Sequence, residues 1–169
     1  RRELWITGTI DDGCSMEAIR AMREMYRFDS ESSIRLFINS DGGDPTEALV
    51  IADYMKALGK KLKVITGVLG ISYSAATLIS AAGTVGHRFV SPSGEFLIHS
   101  LTVGHLSGKI DDIESSSRML KRLSNKIGNH LSDLTGQKFE LVDELMKKET
   151  YFDAEEAIAF GLCDKIALI

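Results

Sequence analysis

Long hydrophobic runs are missing from this 169-residue chain, although 44% of its residues are hydrophobic. Lysine, threonine, serine or glycine interrupts every apolar stretch well before the roughly 18 to 20 residues that a membrane-spanning helix needs. The composition is nevertheless sufficient to build one buried core. We therefore expect a single soluble domain over residues 1–169, with no membrane partner.

Cysteine is scarce, and neither sign of charge dominates. Cys14 and Cys163 are the two cysteines, and they form neither a disulfide framework nor a metal-ligand spacing. The 20 basic and 24 acidic residues are spread along the chain, so no polybasic block indicates a nucleic-acid or lipid partner. We expect no signal peptide, because Arg1 to Glu3 are charged and lead directly into a strand-like segment. These features predict reduced cysteines, no metal or cofactor, and a cytoplasmic protein.

Strand-like and helix-like segments alternate along the chain. The patterns predict strands over residues 4–10, 34–39, 62–69, 87–90, 95–99 and 162–167, and helices over residues 16–27, 45–58, 74–82, 110–134, 139–148 and 154–160. Ser15 is placed to cap the first helix. Such alternation predicts an α/β fold with a largely parallel sheet and right-handed crossovers. Active sites of such sheets lie beyond the carboxyl ends of the strands.

One apolar stripe runs along the long predicted helix. Its leucines and isoleucine recur at steps of three and four residues, at Leu120, Leu123, Ile127, Leu131 and Leu134. We interpret the stripe as packing on the chain's own core. An intermolecular seam is the alternative, and a helix of this length can serve both uses.

A small-residue segment from Gly70 to Ala76 joins the third strand to the third helix. A serine at a junction of strand, glycine turn and helix presents its hydroxyl at the sheet edge, beside backbone N–H groups that can hold an oxyanion. Both Ser72 and Ser74 fit this description. The segment therefore predicts a nucleophilic serine and acyl chemistry.

Two further features sit where a serine nucleophile would need them. The glycine pair at positions 42 and 43 follows the second strand, which alone indicates a tight turn but beside a nucleophile predicts an oxyanion hole. His99 closes an apolar strand and is expected at its carboxyl end, as the general base for the serine. His87, His105 and His130 fall in a turn, a loop and a helix surface, and we interpret them as structural. The base still needs an orienting acceptor, usually a carboxylate.

The order of these segments resembles the proteolytic subunits of the Clp protease. The resemblance rests on residues 37–43, 74–83, 97–99 and 153–162, and it includes residues 108–114, which are similar to the start of that family's handle helix. It covers nearly the whole chain. It implies a ClpP/crotonase-like fold of stacked β-α-β units, with a head of about residues 1–99 and 136–169 and a handle of about residues 100–135.

The resemblance also implies roles for individual residues. The family's serine lies nine residues before the glycine that ends its helix, which is Gly83 here, so the nucleophile falls on Ser74. The base falls on His99. The oxyanion donors fall on the backbone N–H groups of Gly43 and Ala75.

The third member of the implied triad departs from the family pattern. The family's aspartate position falls on Glu149, whose extra methylene changes its reach, and Asp153 is a nearby alternative acceptor. Ser100 and Leu101 follow the base where the family usually has glutamine and proline, so the substrate-binding edge is expected to differ.

Three other departures are visible in the sequence. Asp41 replaces the family's proline before the glycine pair, and Ala75 is followed by Ala76 where the family usually has methionine and glycine. Arg35 and Phe37 occupy the place of an aromatic pair that helps to form the ATPase pocket. The resemblance therefore does not establish that the family's usual ATPase loop docks on this chain.

The resemblance implies a serine endopeptidase that hydrolyses unfolded proteins or peptides inside two stacked heptameric rings. An AAA+ unfoldase would supply the substrate. Two alternatives remain open at this point. One is a catalytically weak or inactive subunit with an assembly or regulatory role in rings mixed with a paralogous subunit. The other is an acyl-CoA enzyme of the related crotonase fold. That interpretation assigns no catalytic role to Ser74 and His99.

Overall fold

The computed structural model describes residues 2–102, 104 and 107–167. The chain forms, in order, β1 (Glu3–Ile10), α1 (Asp12–Phe28), β2 (Ile34–Gly43), α2 (Pro45–Gly59), β3 (Val64–Tyr73), α3 (Ala75–Ala81), β4 (Arg88–Val90), β5 (Glu95–Ile98), α4 (Ile110–Thr135), α5 (Phe139–Lys147), β6 (Thr150–Phe152), α6 (Ala154–Phe160) and β7 (Lys165–Ile166). Apart from β6, these strands and helices follow in the order that the sequence predicts.

The strands form one mostly parallel sheet in which β3 is the branching strand. The order β1-β2-β3-β4-β7 is parallel throughout, β5 pairs in parallel with β3, and β6 pairs antiparallel with β5. The first half of β3 pairs with β4 through Thr66 to Val68, and its last residues, Ile71 to Tyr73, pair with β5. The α/β class and the ClpP-like fold are therefore confirmed.

The core brings together buried apolar residues of the sheet and of all six helices, and α2 and α3 contribute more of them than any other helix. Every residue of α3 is buried, as expected from its alanine-rich, apolar sequence. Helix α4 is different, because only Ile127, Gly128 and Leu131 are buried in its 26 residues. Within the predicted stripe, Ile127 and Leu131 are buried in the chain's own core and Leu123 and Leu134 pack against it. Met119, which lies outside the stripe in the N-terminal half of the helix, is 64% exposed.

A buried arginine joins the ends of three helices. The Arg88 guanidinium donates to the carbonyls of Ala81 at 3.4 Å, Leu134 at 3.0 Å and Gly161 at 2.8 Å. It also forms two hydrogen bonds to the Asp164 carboxylate, at 3.1 and 2.6 Å. Arg88 is 5% exposed. One side chain thus ties the C-terminal ends of α3, α4 and α6 to β4.

Several local predictions are wrong. Helix α1 begins at Asp12, because the Asp11 side chain caps it by accepting from the backbone N–H of Cys14, and Ser15 is buried inside the helix. Strands β2 and β3 continue to Gly43 and Tyr73, beyond their predicted ends.

The C-terminal strands and two histidines also differ from the predictions or lie outside what the structure describes. Strand β6 was not predicted, and β7 covers only residues 165–166 of its predicted range. His130 is half-buried rather than on the helix surface, and burial, helped by the charge of Lys56, lowers its pKa. His105 lies outside the described residues. Within the described part of the chain, no helix is both long and apolar enough to cross a membrane.

Candidate active site

Ser74 occupies a sharp turn between β3 and α3. Its backbone angles are φ 56° and ψ −121°, a region that residues with side chains rarely adopt and that costs on the order of 1 to 3 kcal/mol. The surrounding structure holds the turn, because the Ser74 N–H donates to the carbonyl of Leu97 at 2.9 Å. A strained turn between strand and helix lifts the hydroxyl above the sheet edge, as in a nucleophile elbow.

The carboxyl end of β2 leaves room for this turn only because it ends in glycine. A Cβ atom on Gly42 would lie 2.7 Å from the carbonyl oxygen of Tyr73 and 2.8 Å from the Cβ of Ser74. No side chain fits at those distances. Gly42 is therefore required for close approach of β2 to the serine, whereas a Cβ atom on Gly43 would clash with the backbone of Ile10 in β1.

His99 contacts the Ser74 hydroxyl directly. Its Nε2 atom lies 2.7 Å from the Ser74 Oγ. The pairing of β3 with β5, in which Tyr73 lies opposite Leu97, brings the two strand ends together at the edge where the sequence places the site. The structure thus joins the two residues that the sequence predicts as nucleophile and base.

The predicted oxyanion donors border the same cavity. Gly43 and Ala75 line it together with Ser74 and His99. Ala75 is the first residue of α3, where backbone N–H groups have no partner within the helix and carry partial positive charge. The roles of the two N–H groups as oxyanion donors stay predictions.

The cavity beside Ser74 is small and mostly apolar. Its volume is about 170 Å³. Apolar side chains from α2, α3, β5 and α4 and from the segment after His99 line it, namely Pro45, Leu78, Ile98, Leu101, Ile127 and Leu131. A side chain of an incoming ligand would therefore meet hydrocarbon next to the reactive pair.

Ser72, the other candidate serine, points into the core. It is 0% exposed, and its hydroxyl lies 2.9 Å from the Ser80 hydroxyl. A ligand in the cavity has no access to it.

The backbones of Glu149 and His99 are neighbours, but the Glu149 carboxylate forms no hydrogen bond to the His99 imidazole. Thr150 pairs with Ile98 in the β5 and β6 ladder, so the residues that flank this pair, Glu149 and His99, are neighbours. Glu149 has a left-handed backbone with φ 54°, and its side chain is exposed. No hydrogen bond within the described residues joins Glu149 to His99.

Asp153, the alternative acceptor, caps helix α6. Its side chain accepts from the Glu156 N–H at 2.8 Å, and the Glu156 carboxylate accepts from the Asp153 N–H at 3.0 Å. This reciprocal pair is a capping box at the start of α6. Asp153 therefore has a structural function that accounts for its presence.

Three of the departures from the family pattern line the cavity. Ser100 and Leu101 border it after the base, and Ala75 borders it next to Ser74. The Ser100 N–H donates to the carbonyl of Met146 at 2.9 Å, and Asp41 is exposed. The contact between Ser74 and His99 forms in the presence of these departures.

Sequence reasoning missed a buried hydroxyl below the elbow. The Thr77 Oγ1 atom lies 2.6 Å from the carbonyl oxygen of Ser72 and 3.0 Å from that of Leu97. The feature that could have indicated it is a threonine in a helix otherwise made of alanine, leucine, isoleucine and serine. A threonine there is equally compatible with simple packing, so the sequence alone did not single it out.

A metal-dependent site has no support in the described residues. No group of three or more histidine, cysteine, aspartate or glutamate residues is arranged there to hold a metal ion. Cys14 and Cys163 are both free, and burial raises the pKa of the Cys163 thiol to about 12.

Comparison with known proteins identifies a family for the chain. The Clp protease family model matches residues 1–168. A relative in Arabidopsis thaliana, the chloroplastic ATP-dependent Clp protease proteolytic subunit-related protein 2, is 36% identical over 165 residues, which are 98% of this chain and 58% of the relative. The ATP-dependent Clp protease proteolytic subunit 3 of Synechococcus sp. (strain CC9902) is 32% identical over 98% of this chain and 82% of the relative.

A third relative extends the comparison. The ATP-dependent Clp protease proteolytic subunit 2 of Prochlorococcus marinus subsp. pastoris is 31% identical over 98% of this chain and 81% of the relative. The chain thus spans less than two thirds of the Arabidopsis protein and about four fifths of the two cyanobacterial proteins. Its fold, its site and these matches lead to one conclusion: the chain belongs to the Clp protease family.

Proposed function

We propose that this chain is a serine endopeptidase subunit of the Clp type. The observation that carries the proposal is the 2.7 Å contact between Ser74 Oγ and His99 Nε2, made at a strained turn beside an apolar cavity. A serine hydroxyl becomes a useful nucleophile when a positioned base accepts its proton. Such base catalysis contributes about a hundredfold to ten-thousandfold.

The first half of the reaction forms an acyl-enzyme. The Ser74 oxygen attacks the carbonyl carbon of a peptide bond while its proton passes to His99 Nε2. The carbonyl oxygen then carries a negative charge, and we assign its stabilisation to the N–H groups of Gly43 and Ala75. One such donor is worth on the order of 3 kcal/mol. When the intermediate collapses, the C–N bond breaks and His99 gives its proton to the leaving amine.

The second half releases the acyl group. A water molecule takes the place of the amine, His99 Nε2 accepts one of its protons, and the resulting hydroxyl attacks the ester carbonyl. The Ser74 oxygen leaves with the proton that His99 returns. The products are a carboxylic acid and the original pair of side chains, so no cofactor is consumed.

The cavity indicates which peptides fit. Its lining by Leu78, Ile127 and Leu131 favours an apolar side chain next to the scissile bond, because burial of apolar surface there contributes about 25 cal/mol per Å². We therefore propose unfolded proteins or peptides with apolar residues at the cleavage point as substrates.

Glu149 is proposed to orient His99 in the assembled particle. In the single chain its side chain is exposed, but its backbone is next to that of His99 across the ladder of β5 and β6. A rotamer change can therefore bring the carboxylate toward the imidazole without moving a strand.

The proposed partners are further copies of this chain or a paralogous subunit, in two stacked heptameric rings, and an AAA+ unfoldase. Arg35, which occupies one of the family's aromatic positions, forms a surface ion pair with Glu3 at 3.5 Å and adds no aromatic surface there. Phe37 is buried under Trp5, with ring centroids 4.8 Å apart, and Trp5 is 55% exposed. An exposed aromatic surface thus persists on β1 where an apolar loop of an ATPase could dock. A cytoplasmic location stays a prediction.

A catalytically weak subunit with an assembly or regulatory role is the second candidate. The exposed Glu149, which makes no hydrogen bond to His99 within the described residues, favours it. The relative in Arabidopsis is named as a subunit-related protein, which is compatible with such a role for this chain.

Peptide hydrolysis by defined particles tests the proposal against this alternative. Particles of this chain alone should cleave a fluorogenic peptide with an apolar residue before the scissile bond, and Ser74→Ala should lower kcat roughly a thousandfold or more. Ser72→Ala is the matched control and should retain most activity. Two results together would favour the catalytically weak subunit. Hydrolysis would appear only in rings mixed with an active paralogue, and it would persist in those rings when this chain carries Ser74→Ala.

A further inference from the structure

The contact between Ser74 and His99 joins residues that two different strands carry. Ser74 follows β3, and His99 follows β5. The ladder between these strands has only three residue pairs, ending with Tyr73 opposite Leu97. The distance between the two side chains therefore depends on what fixes the strand ends beyond the ladder.

The Thr77 hydroxyl lies at the point where both strand ends meet. It has one proton to donate, and two carbonyl oxygens are within reach, that of Ser72 at 2.6 Å and that of Leu97 at 3.0 Å. Ser72 is two residues before the nucleophile, and Leu97 is two residues before the base. One buried hydroxyl thus bridges the two strands immediately below the reactive pair.

The contacts of Thr77 are unusual for a threonine in a helix. Helical threonine commonly bonds to the carbonyl three or four residues earlier on its own helix. Here the partners are a residue of β3 and a residue of β5, and the Thr77 backbone N–H also donates to the Ser74 carbonyl at 3.1 Å. Thr77 is 0% exposed, so water cannot replace its hydroxyl.

The carbonyl of Leu97 receives two donors from the elbow. The Ser74 N–H reaches it at 2.9 Å, and the Thr77 hydroxyl lies 3.0 Å from it while sharing its single proton with the nearer Ser72 carbonyl. A carbonyl oxygen has two lone pairs and can accept from both groups. The segment leading to His99 is therefore held by the same turn that carries Ser74.

We propose that Thr77 is a positioning residue that sets the distance between the Ser74 hydroxyl and the His99 imidazole. This inference rests on the proposed serine peptidase function, because a set distance matters only if the proton moves between these two groups. The hydroxyl acts through the backbone of β3 and β5 and does not touch the substrate.

Isosteric substitution separates this function from general stability. Thr77→Val keeps the shape and removes the hydroxyl. Thr66→Val is the matched control, because the Thr66 hydroxyl is also buried and donates to α3, at the carbonyl of Ser80 at 2.8 Å, but does not contact Ser72 or Leu97. Each variant loses one buried hydroxyl donor.

Crystal structures of the assembled variants give a readout that does not depend on activity. In Thr77→Val the distance between Ser74 Oγ and His99 Nε2 should exceed hydrogen-bond reach, about 3.5 Å, whereas Thr66→Val should keep it. An unchanged distance in Thr77→Val, or the same lengthening in Thr66→Val, would overturn the inference. Particles without peptidase activity would refute the proposed function. The distance between Ser74 Oγ and His99 Nε2 in the variants would still show whether Thr77 positions the two side chains.

Kinetics supply the second readout. Misplacement of a catalytic pair by about 1 Å costs up to roughly a hundredfold, so Thr77→Val should lower kcat by about tenfold to a hundredfold with little change in KM. Thr77→Ser keeps the hydroxyl and should restore kcat although it loses a methyl group. If Thr77→Val folds poorly, Thr77→Ala takes its place. The serine and alanine variants both lack the methyl group, so a difference in kcat between them reports on the hydroxyl alone. Equal kcat values for the serine and alanine variants would count against a positioning function.

Discussion

At the scale of single residues, backbone strain coincides with the predicted chemistry. Among the described residues, Ser74 and Glu149 are the two non-glycine positions with positive φ, at 56° and 54°. Strain of this kind persists only where the surrounding structure holds it, and it concentrates at functional sites. Sequence reasoning placed the nucleophile and the acidic residue at these positions without access to the backbone angles. The coincidence supports both assignments as proposals.

Two carboxylate-to-amide substitutions test which acid serves His99. Glu149→Gln keeps the size of the side chain and removes its charge, and it should lower kcat at least about tenfold if the carboxylate stabilises the protonated imidazole. Asp153→Asn is the matched control, since asparagine caps a helix about as well as aspartate, and it should retain activity. The measurement is kcat of assembled particles at neutral pH. Loss in Asp153→Asn alone would assign the role to Asp153, and no loss in either variant would contradict a triad.

The sequence identified the reactive residues but not what positions them. The sheet-edge rule indicated His99 and left Ser72 and Ser74 as candidate nucleophiles, and the resemblance to the Clp family selected Ser74. Thr77 and the side-chain direction of Glu149 could not, because both depend on contacts between segments distant in sequence. A threonine in a buried helix and a glutamate after a helix are each compatible with several environments.

At the scale of secondary structure elements, Arg88 and Asp164 connect the site's scaffold. The Arg88 guanidinium binds the carbonyl ends of three helices, including α4, whose Ile127 and Leu131 line the cavity. Burial alone would raise the pKa of Asp164, but hydrogen bonds from Arg88 and Gly86 and the charge of Arg88 outweigh it, so the pKa lies below its ordinary value. The ion pair is therefore a stabilising contact with a defined pH dependence.

Removing one partner of this pair should destabilise the fold. Asp164→Asn leaves the Arg88 charge buried without its partner, and we expect a loss of about 3 kcal/mol in the free energy of unfolding. Because the folded pKa is lowered, the native carboxylate contributes fully above the unfolded value of about 3.9. That contribution is lost as the pH falls through the folded pKa.

Denaturant unfolding of both forms as a function of pH checks this expectation. The difference between the native chain and Asp164→Asn should be largest above about pH 4 and should shrink on further acidification. Asp143→Asn is the control, because the ion pair of Asp143 with Lys147 is exposed and should contribute less than about 1 kcal/mol. A difference that grows as the pH falls would contradict the assignment.

The ends of the elements show why local patterns were insufficient. Asp11 and Ser15 are both capping residues by type, and the sequence favoured Ser15 because the apolar periodicity begins after it. The structure uses Asp11, which adds a turn to α1. Strand β6 has only three residues and exists because it pairs with β5, a contact that no periodicity within residues 150–152 could indicate.

At the scale of the whole molecule, exposed apolar surface is consistent with assembly. Phe28 at the end of α1 is 92% exposed, Trp5 on β1 is 55% exposed, and Ile110 and Met119 in the N-terminal half of α4 are 75% and 64% exposed. The alternative that the sequence left open for α4, an intermolecular seam, therefore remains available for its exposed half. We propose that ring contacts cover part of this surface and bring Glu149 toward His99.

The central claim is that Ser74 is an activated nucleophile in the assembled particle. Reaction with a fluorophosphonate probe tests it most directly, because the probe forms a covalent bond only with a serine oxygen whose proton a base can accept. After labelling, mass spectrometry of peptides locates the adduct. We predict one adduct on Ser74, strong reduction of labelling in His99→Ala, and no adduct on the buried Ser72. Particles that label no better than Ser74→Ala would contradict the claim.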